Sequence, residues 1–457
     1  MVGMSKNHAV TLPVPSTEVA PESFRAAIEH VAASAPDAVA LRMGEQALTY
    51  REVNARANRL ADQLCLQGVG PEVPVGLICG RSLETIIGML AILKADGVAV
   101  PFDATLPAER LRTMVALAGL RLIVTTEAMH SARAGMRGPV AVVRMEGDCP
   151  AAPNLQSRLR PENTSHFHFT TSATGRPRAV PISHAASENL LRWQQNILPF
   201  ALGMRVLQFS FSGLDSAWQE IAGTLAAGGT LVIPTAQERA STDRLVALLS
   251  KQEIERAFLP AATLAHVVDV VSATAQALPH LRDLVAFCGP VLISSDTRAF
   301  FTAHPGCRLH AHYGHCETLV ALACTVEGAP ASWPAIIPLG KPVRQVSAML
   351  LDPQGRFVRS GEDGELWIGS PHLSRGYHRD PAANRERFLP DPSAAEGSPA
   401  RIFRTGERVR LNSEGDFELA GPAAFPPVAR GKPRRRTESS PVLSRRPAPL
   451  NKPRAVA

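Results

Sequence analysis

Five short runs set the frame for this chain: VPVGLIC (73–79), RLIVTT (121–126), VLQFSF (206–211), TLVIP (230–234) and LVAFCG (284–289). Each is apolar, too short for a stable helix, and close to a segment with helical spacing. In one such segment Leu83, Ile86, Ile87, Leu90 and Leu93 share a helix face, and Ser82 is placed to cap its start. Continuous apolar strands alternating with helices predict α/β layering around largely parallel sheets, covered on both faces. From about residue 340 the texture changes to short strands and turns, as in VSAMLLDPQGRFV and GELWIGS. That change predicts a smaller β-rich unit.

Composition narrows the classes of function. With 45% hydrophobic and 19% charged residues, the 457-residue chain reads as a globular protein. No apolar run reaches bilayer length, and MVGMSKNHAV lacks the apolar core of a signal peptide. Seven cysteines without paired spacing predict reduced thiols and a cytoplasmic setting. The net charge of +7 suggests a nucleic-acid partner until it is located. Residues 422–457 hold nine Lys/Arg and one acid, which leaves 39 basic and 40 acidic side chains in the rest. Neither nucleic acid nor membrane is therefore an expected partner of the body. The same 36 residues hold eight prolines and no apolar periodicity, so a disordered tail is expected. Residues 1–20 read as a flexible arm and 21–421 as the folded core.

One stretch asks for chemistry. FTTSATGRPRAV (169–180) crowds hydroxyls before a Thr-Gly, with a cation three residues after the glycine. Phosphate-cradling loops carry more glycine than the one found here, so a nucleotide loop and a plain polar turn both remain open.

Several stretches together decide between them. LTYREVNARANRLADQL (48–64), LKADGVAVPFDATLPAERLR (93–112), FTTSATGRPRAV, LDSAWQEI (214–221), LHAHYGHCET (309–318), GELWIGSPHLSRGYHRDPAANRERF (364–388) and RIFRTGERVRLNSEGDFELAG (401–421) resemble, in order, the blocks of the adenylate-forming superfamily. The likeness is strongest to the amino-acid adenylation domains of nonribosomal peptide synthetases. It implies a layered αβαβα core with a small distorted β-barrel unit. It also implies ATP and Mg²⁺ as cofactors, and an amino acid as substrate.

What the resemblance implies for single residues follows the blocks. Thr170, Thr171, Ser172, Thr174 and Gly175 would contact phosphate and Arg178 would supply charge, since two anions must meet when a carboxylate attacks ATP. Ser172 and Ala179 stand where the family has glycine, which predicts a backbone cost of about 1 kcal/mol. Tyr313 matches the aromatic that stacks on adenine, and Glu317 the carboxylate that helps hold Mg²⁺. His310, His312, His315 and Cys316 also admit a zinc reading. Glu407 stands where the family has a ribose-gripping aspartate; a solvated turn acid is the alternative. Asp215 matches the aspartate that pairs with an α-ammonium, and an acyl-CoA synthetase-like reading is disfavoured by it; a helix cap is its alternative. Ser216, Gln219, Ala286, His310 and His312 would line the side-chain pocket.

The resemblance stops at Gly421. The family's hinge pair and mobile lysine-bearing C-terminal domain do not follow; the chain reads PAAFPPVARGKPRRRTESSPVLSRRPAPLNKPRAVA instead. Truncation by a frameshift is the expectation, with a basic tail for RNA or an acidic partner as the alternative. Adenylation is then expected to be impaired, with a carrier protein or a separate C-terminal domain acting in trans as possible partners. A noncatalytic nucleotide- or partner-binding protein on the same fold is the second reading.

Overall fold

Three sheets organise the chain. The computed structural model describes residues 10–11, 23–132, 141–144, 152–171, 175–359, 361–391, 394 and 400–421. The expectations for the arm fall largely outside these residues, and those for the tail entirely so.

The first sheet runs in the order Ala141–Arg144, Leu122–Thr125, Pro74–Ile78, Val98–Pro101, Thr164–Thr171, Pro177–Ser183. Its first five strands are parallel, and the sixth returns from the fifth as an antiparallel hairpin. The second sheet has nine strands, parallel from Val39–Met43 through to Arg308–His315 and antiparallel at both edges. The buried runs predicted from sequence all fall in these two sheets.

Helices fill the space between and outside them. Phe24–Ser34, Tyr50–Leu66, Leu83–Lys94, His184–Ile197 and Asp215–Ala226 share one apolar core with the facing sides of both sheets. Ala108–Ala118 covers the outer face of the first sheet through Leu111, Met114 and Val115. Thr242–Lys251, Ala261–Thr274 and Ser295–Ala303 cover the outer face of the second. The result is the expected αβαβα layering. Leu83–Lys94 begins at Ser82, whose Oγ accepts from the Thr85 N–H at 3.4 Å. It is buried almost all round, not on one face, because it lies in the central layer. Tyr50–Leu66 starts with a capping box between Thr49 and Glu52.

The third sheet is antiparallel: Val10–Thr11, Ser347–Leu351, Gly364–Gly369, Arg401–Leu411 and Phe388–Pro390, with Phe417–Leu419 also on Arg401–Leu411. Among the described residues no strand pair closes it, so the expected barrel is an open sheet. No helix among the described residues is long and apolar enough to cross a membrane.

Candidate active site

The FTTSATGRPRAV stretch is the turn of the hairpin that ends the first sheet. Thr170 pairs with Arg178 and Thr171 with Pro177. Gly175 has a φ of +82°, the left-handed region glycine favours, in open space. Ser172 and Thr174 lie outside the described residues. Ala179 corrects one expectation: it is a regular strand residue paired with Phe169, fully buried and without positive φ. Its Cβ costs the backbone nothing, since a pleated strand accepts any L residue.

Arg110, on the helix Ala108–Ala118, reaches across this turn. Its Nη2 donates to Thr171 Oγ1 at 3.1 Å and its Nη1 to the Gly175 carbonyl at 3.4 Å. Arg178 is held sideways, Nε 3.3 Å from Asp380 Oδ2 and Cζ 4.8 Å from the centre of the Tyr377 ring. Tyr377 also donates its hydroxyl to Glu317 Oε1 at 2.6 Å. Burial, with the neighbouring Glu317 carboxylate, pushes the Tyr377 phenol far above its ordinary range. The segment of residues 374–380 thus ties Arg178 to the Glu317 carboxylate.

Glu317 follows the strand Arg308–His315, which ends beside a cavity of about 220 Å³. Tyr313 and Glu407 line this cavity together with Ala286 and His312. Tyr313 Oη lies 3.1 Å from His315 Nε2, whose other neighbour is Glu407 Oε1 at 4.0 Å. Glu407 Oε2 is buried without a hydrogen-bond partner among the described residues.

Asp215 is the first residue of the helix Asp215–Ala226. Leu214 takes the cap position without a side-chain bond, and Asp215 Oδ1 accepts from the Ser216 N–H at 2.9 Å. Burial raises its pKa, against the Ser216 N–H and His315, and Glu317 pushes the same way as burial. One turn further on, Gln219 Oε1 accepts from His312 Nδ1 at 2.9 Å. Burial holds His312 neutral, its pKa lowered to about 3. Ser216 Oγ, on the same helix, is buried without a hydrogen-bond partner among the described residues.

His310 parts company with His312. It bonds Asp283 Oδ1 at 3.1 Å and Thr325 Oγ1 at 2.9 Å, inside an ion network with Arg256 and Arg308. It is not among the residues lining the cavity. Asp283 draws it away, because a buried carboxylate flanked by donors takes every one within reach. The zinc reading fails for the same reason, since each imidazole is engaged separately. No group of three metal-ligating side chains occurs among the described residues.

The family model of AMP-binding enzymes matches residues 28–378. The chain belongs to the AMP-binding enzyme family. Tyrocidine synthase 2 of Brevibacillus parabrevis is 30% identical over 390 residues, 84% of this chain and 11% of that protein. The chain thus spans about a tenth of this curated relative. Among solved structures, the nonribosomal peptide synthetase FmoA3 in its alpha-methyl-L-serine-AMP bound form gives a TM-score of 0.80 at 25% identity. That match covers 89% of this chain and 45% of that one. Holo-PA1221, a nonribosomal peptide synthetase protein containing adenylation and PCP domains, gives 0.76 at 26% identity, covering 87% and 68%.

Within this AMP-binding chain, three contributors escaped the reading by blocks. Arg110, Tyr377 and Asp380 all lie in or beside quoted blocks, at 93–112 and 364–388. Nothing in those blocks says that an arginine there reaches a loop 61 positions away, or that a tyrosine bonds a carboxylate 60 positions away.

Proposed function

We propose that this chain activates an amino-acid carboxylate with ATP, forming an aminoacyl-adenylate and releasing pyrophosphate. The observation that carries it is that the helix begun by Asp215 bonds, through Gln219 one turn on, to His312 in the wall of the cavity lined by Tyr313 and Glu407. An ammonium paired with Asp215 sets its carboxylate on the Glu317 side, where the nucleotide's phosphates belong. A substrate carboxylate oxygen bonds to the α-phosphorus as the bond to the pyrophosphate oxygen breaks, and pyrophosphate leaves with the electron pair. Arg110, Arg178 and the Gly175 turn offset the accumulating negative charge. Glu317 would offer Mg²⁺ a hard oxygen ligand, and the ion would neutralise the charge of the leaving group. A carrier protein is the natural acceptor of such an adenylate, and ATP supply places the reaction in the cytoplasm.

A noncatalytic nucleotide-binding role is the second reading. Arg178 favours it, because its guanidinium is already committed to Asp380 and Tyr377. Amino-acid-dependent exchange of labelled pyrophosphate into ATP separates the two. Adenylation gives exchange with amino acids and little with their des-amino counterparts, and Asp215→Ala abolishes that preference. Equal exchange with des-amino acids would overturn the amino-acid assignment. Saturable ATP binding with no exchange across the amino acids would leave the noncatalytic role.

A further inference from the structure

A second and larger cavity, of about 570 Å³, lies on the far side of the phosphate hairpin. It opens between the segment Arg375–Arg379 and the starts of the parallel strands Pro74–Ile78 and Val98–Pro101. Thr164 lines it at one end of the strand whose other end, Thr171, leads into the phosphate turn. At the rise of an extended strand the two ends are roughly 23 Å apart. The Thr164 end of the cavity therefore lies apart from the nucleotide site, and Tyr377, which meets Glu317 and Arg178, is the wall the two share.

Its charge is unbalanced. Glu72 is the acid in its lining, and it is spent locally. Its Oε1 accepts from Arg375 Nη1 at 2.8 Å and the Thr164 N–H at 3.0 Å, and its Oε2 from the Thr164 hydroxyl at 2.9 Å. Although burial opposes ionisation, these donors and Asn163 hold Glu72 below the usual carboxylate range. Arg375 is thereby neutralised. Arg121 and Arg379, which line the same cavity, are exposed and have no ion-pair partner among the described residues.

Arg379 is also placed at a cost. Its φ is +57°, a left-handed conformation uncommon outside glycine, and Gly376 nearby has +106°. Its guanidinium packs on Gly119, where a Cβ would lie 2.8 Å from Nη2. Arg379 does not serve as a helix cap there, because the Val115 and Ala116 carbonyls already accept from the Leu120 and Gly119 N–H groups. Between Arg379 and the sheet, His378 Nε2 is buried without a hydrogen-bond partner among the described residues, its ring 5.2 Å from Phe167. Val98, Phe167 and Pro181 give the wall an apolar side.

We propose that this cavity binds a small oxyanion with a flat apolar body, its charge on Arg121 and Arg379 and its body against Val98, Phe167 and Pro181. A phosphate monoester and an aromatic carboxylate share that chemistry. His378 Nε2 supplies a further polar contact at the depth of the site.

Calorimetric titration of the full chain at low salt tests this, with phenyl phosphate, benzoate and inorganic phosphate as probes and excess adenosine present. The expected result is saturable binding of phenyl phosphate or benzoate at one site, and weaker binding of inorganic phosphate, which lacks the body. Whichever aromatic anion binds more tightly identifies the source class. Arg121→Ala with Arg379→Ala should weaken it by about tenfold or more, since each removes a charge-assisted contact. Arg121→Glu, at an exposed position that does not threaten folding, should abolish it. The proposal is overturned if neither aromatic anion saturates, if inorganic phosphate binds as tightly as both, if Arg121→Glu binds as well as the parent, or if adenosine, which lacks the oxyanion, displaces the probe.

Discussion

Glu317 illustrates how a single carboxylate acquires a role from one partner. It is 4% exposed, and the Tyr377 hydroxyl fixes Oε1 at 2.6 Å, which sets the direction of the other oxygen. Removing that hydroxyl leaves a buried carboxylate oxygen short of a donor and free to turn. A hydrogen bond to a charged group contributes about 1.5–3 kcal/mol, so Tyr377→Phe is expected to weaken Mg²⁺-dependent ATP binding by about tenfold or more. ATP titrations across a Mg²⁺ series check this. Binding without Mg²⁺ should hardly change, and an equal loss in both conditions would make Tyr377 a packing residue. Asp215 shows the limit of residue-by-residue reading. Its position was legible from LDSAWQEI, but only the structure shows that Leu214 takes the cap position while Asp215 Oδ1 accepts from the Ser216 N–H in the first turn. His310 and His312 share a strand face and look equivalent in sequence. Asp283 and Gln219, 27 and 93 positions away, assign them to different work.

At the scale of elements, one acid pins three adjacent strands of the second sheet. Asp283 begins the strand Asp283–Phe287 and meets Arg256 at 2.6 Å, Arg308 at 2.8 Å and His310 at 3.1 Å on its two neighbours. Burial opposes its ionisation, but the His310 and Arg256 hydrogen bonds hold its carboxyl well below the usual range. Arg256 is itself 1% exposed, so neutralising Asp283 strands a buried guanidinium. Asp283→Asn is expected to cost about 3–5 kcal/mol, read as a shift of the urea midpoint at unchanged slope. A loss under 1 kcal/mol would mean that the surrounding carbonyls, of Leu198 and Pro199, suffice for Arg256. The elements themselves were legible where the apolar run was continuous, as in RLIVTT and LVAFCG. The expected barrel was not, because closure depends on which strand edges meet and no local pattern encodes that.

The molecule as a whole buries histidines between its layers. His166 stacks on Trp218 of the facing helix at 4.2 Å, and its Nε2 lies 3.0 Å from that of His168. Burial lowers His168 to about 3, His184 to about 4 and His312 to about 3, against about 6.5 in an unfolded chain. Below pH 6.5 the unfolded chain therefore binds protons that the folded one refuses. Their contribution is fully present above pH 6.5 and is lost as pH falls toward 4. The urea midpoint should drop between pH 7 and pH 5, and His168→Gln should make that drop shallower; an unchanged slope would show that His168 is not held neutral. What the sequence determined alone is what neighbours along the chain decide: strand and helix alternation, the ordered blocks, the cap at Ser82, the turn at Gly175. Tertiary structure decided the rest, including the capture of His310 by Asp283, the reach of Arg110, the tether on Arg178 and the placing of Arg121 and Arg379 together over the larger cavity. Those outcomes depend on charges and hydrogen-bond donors that only folding brings within a few ångströms, where desolvation makes each pairing strong.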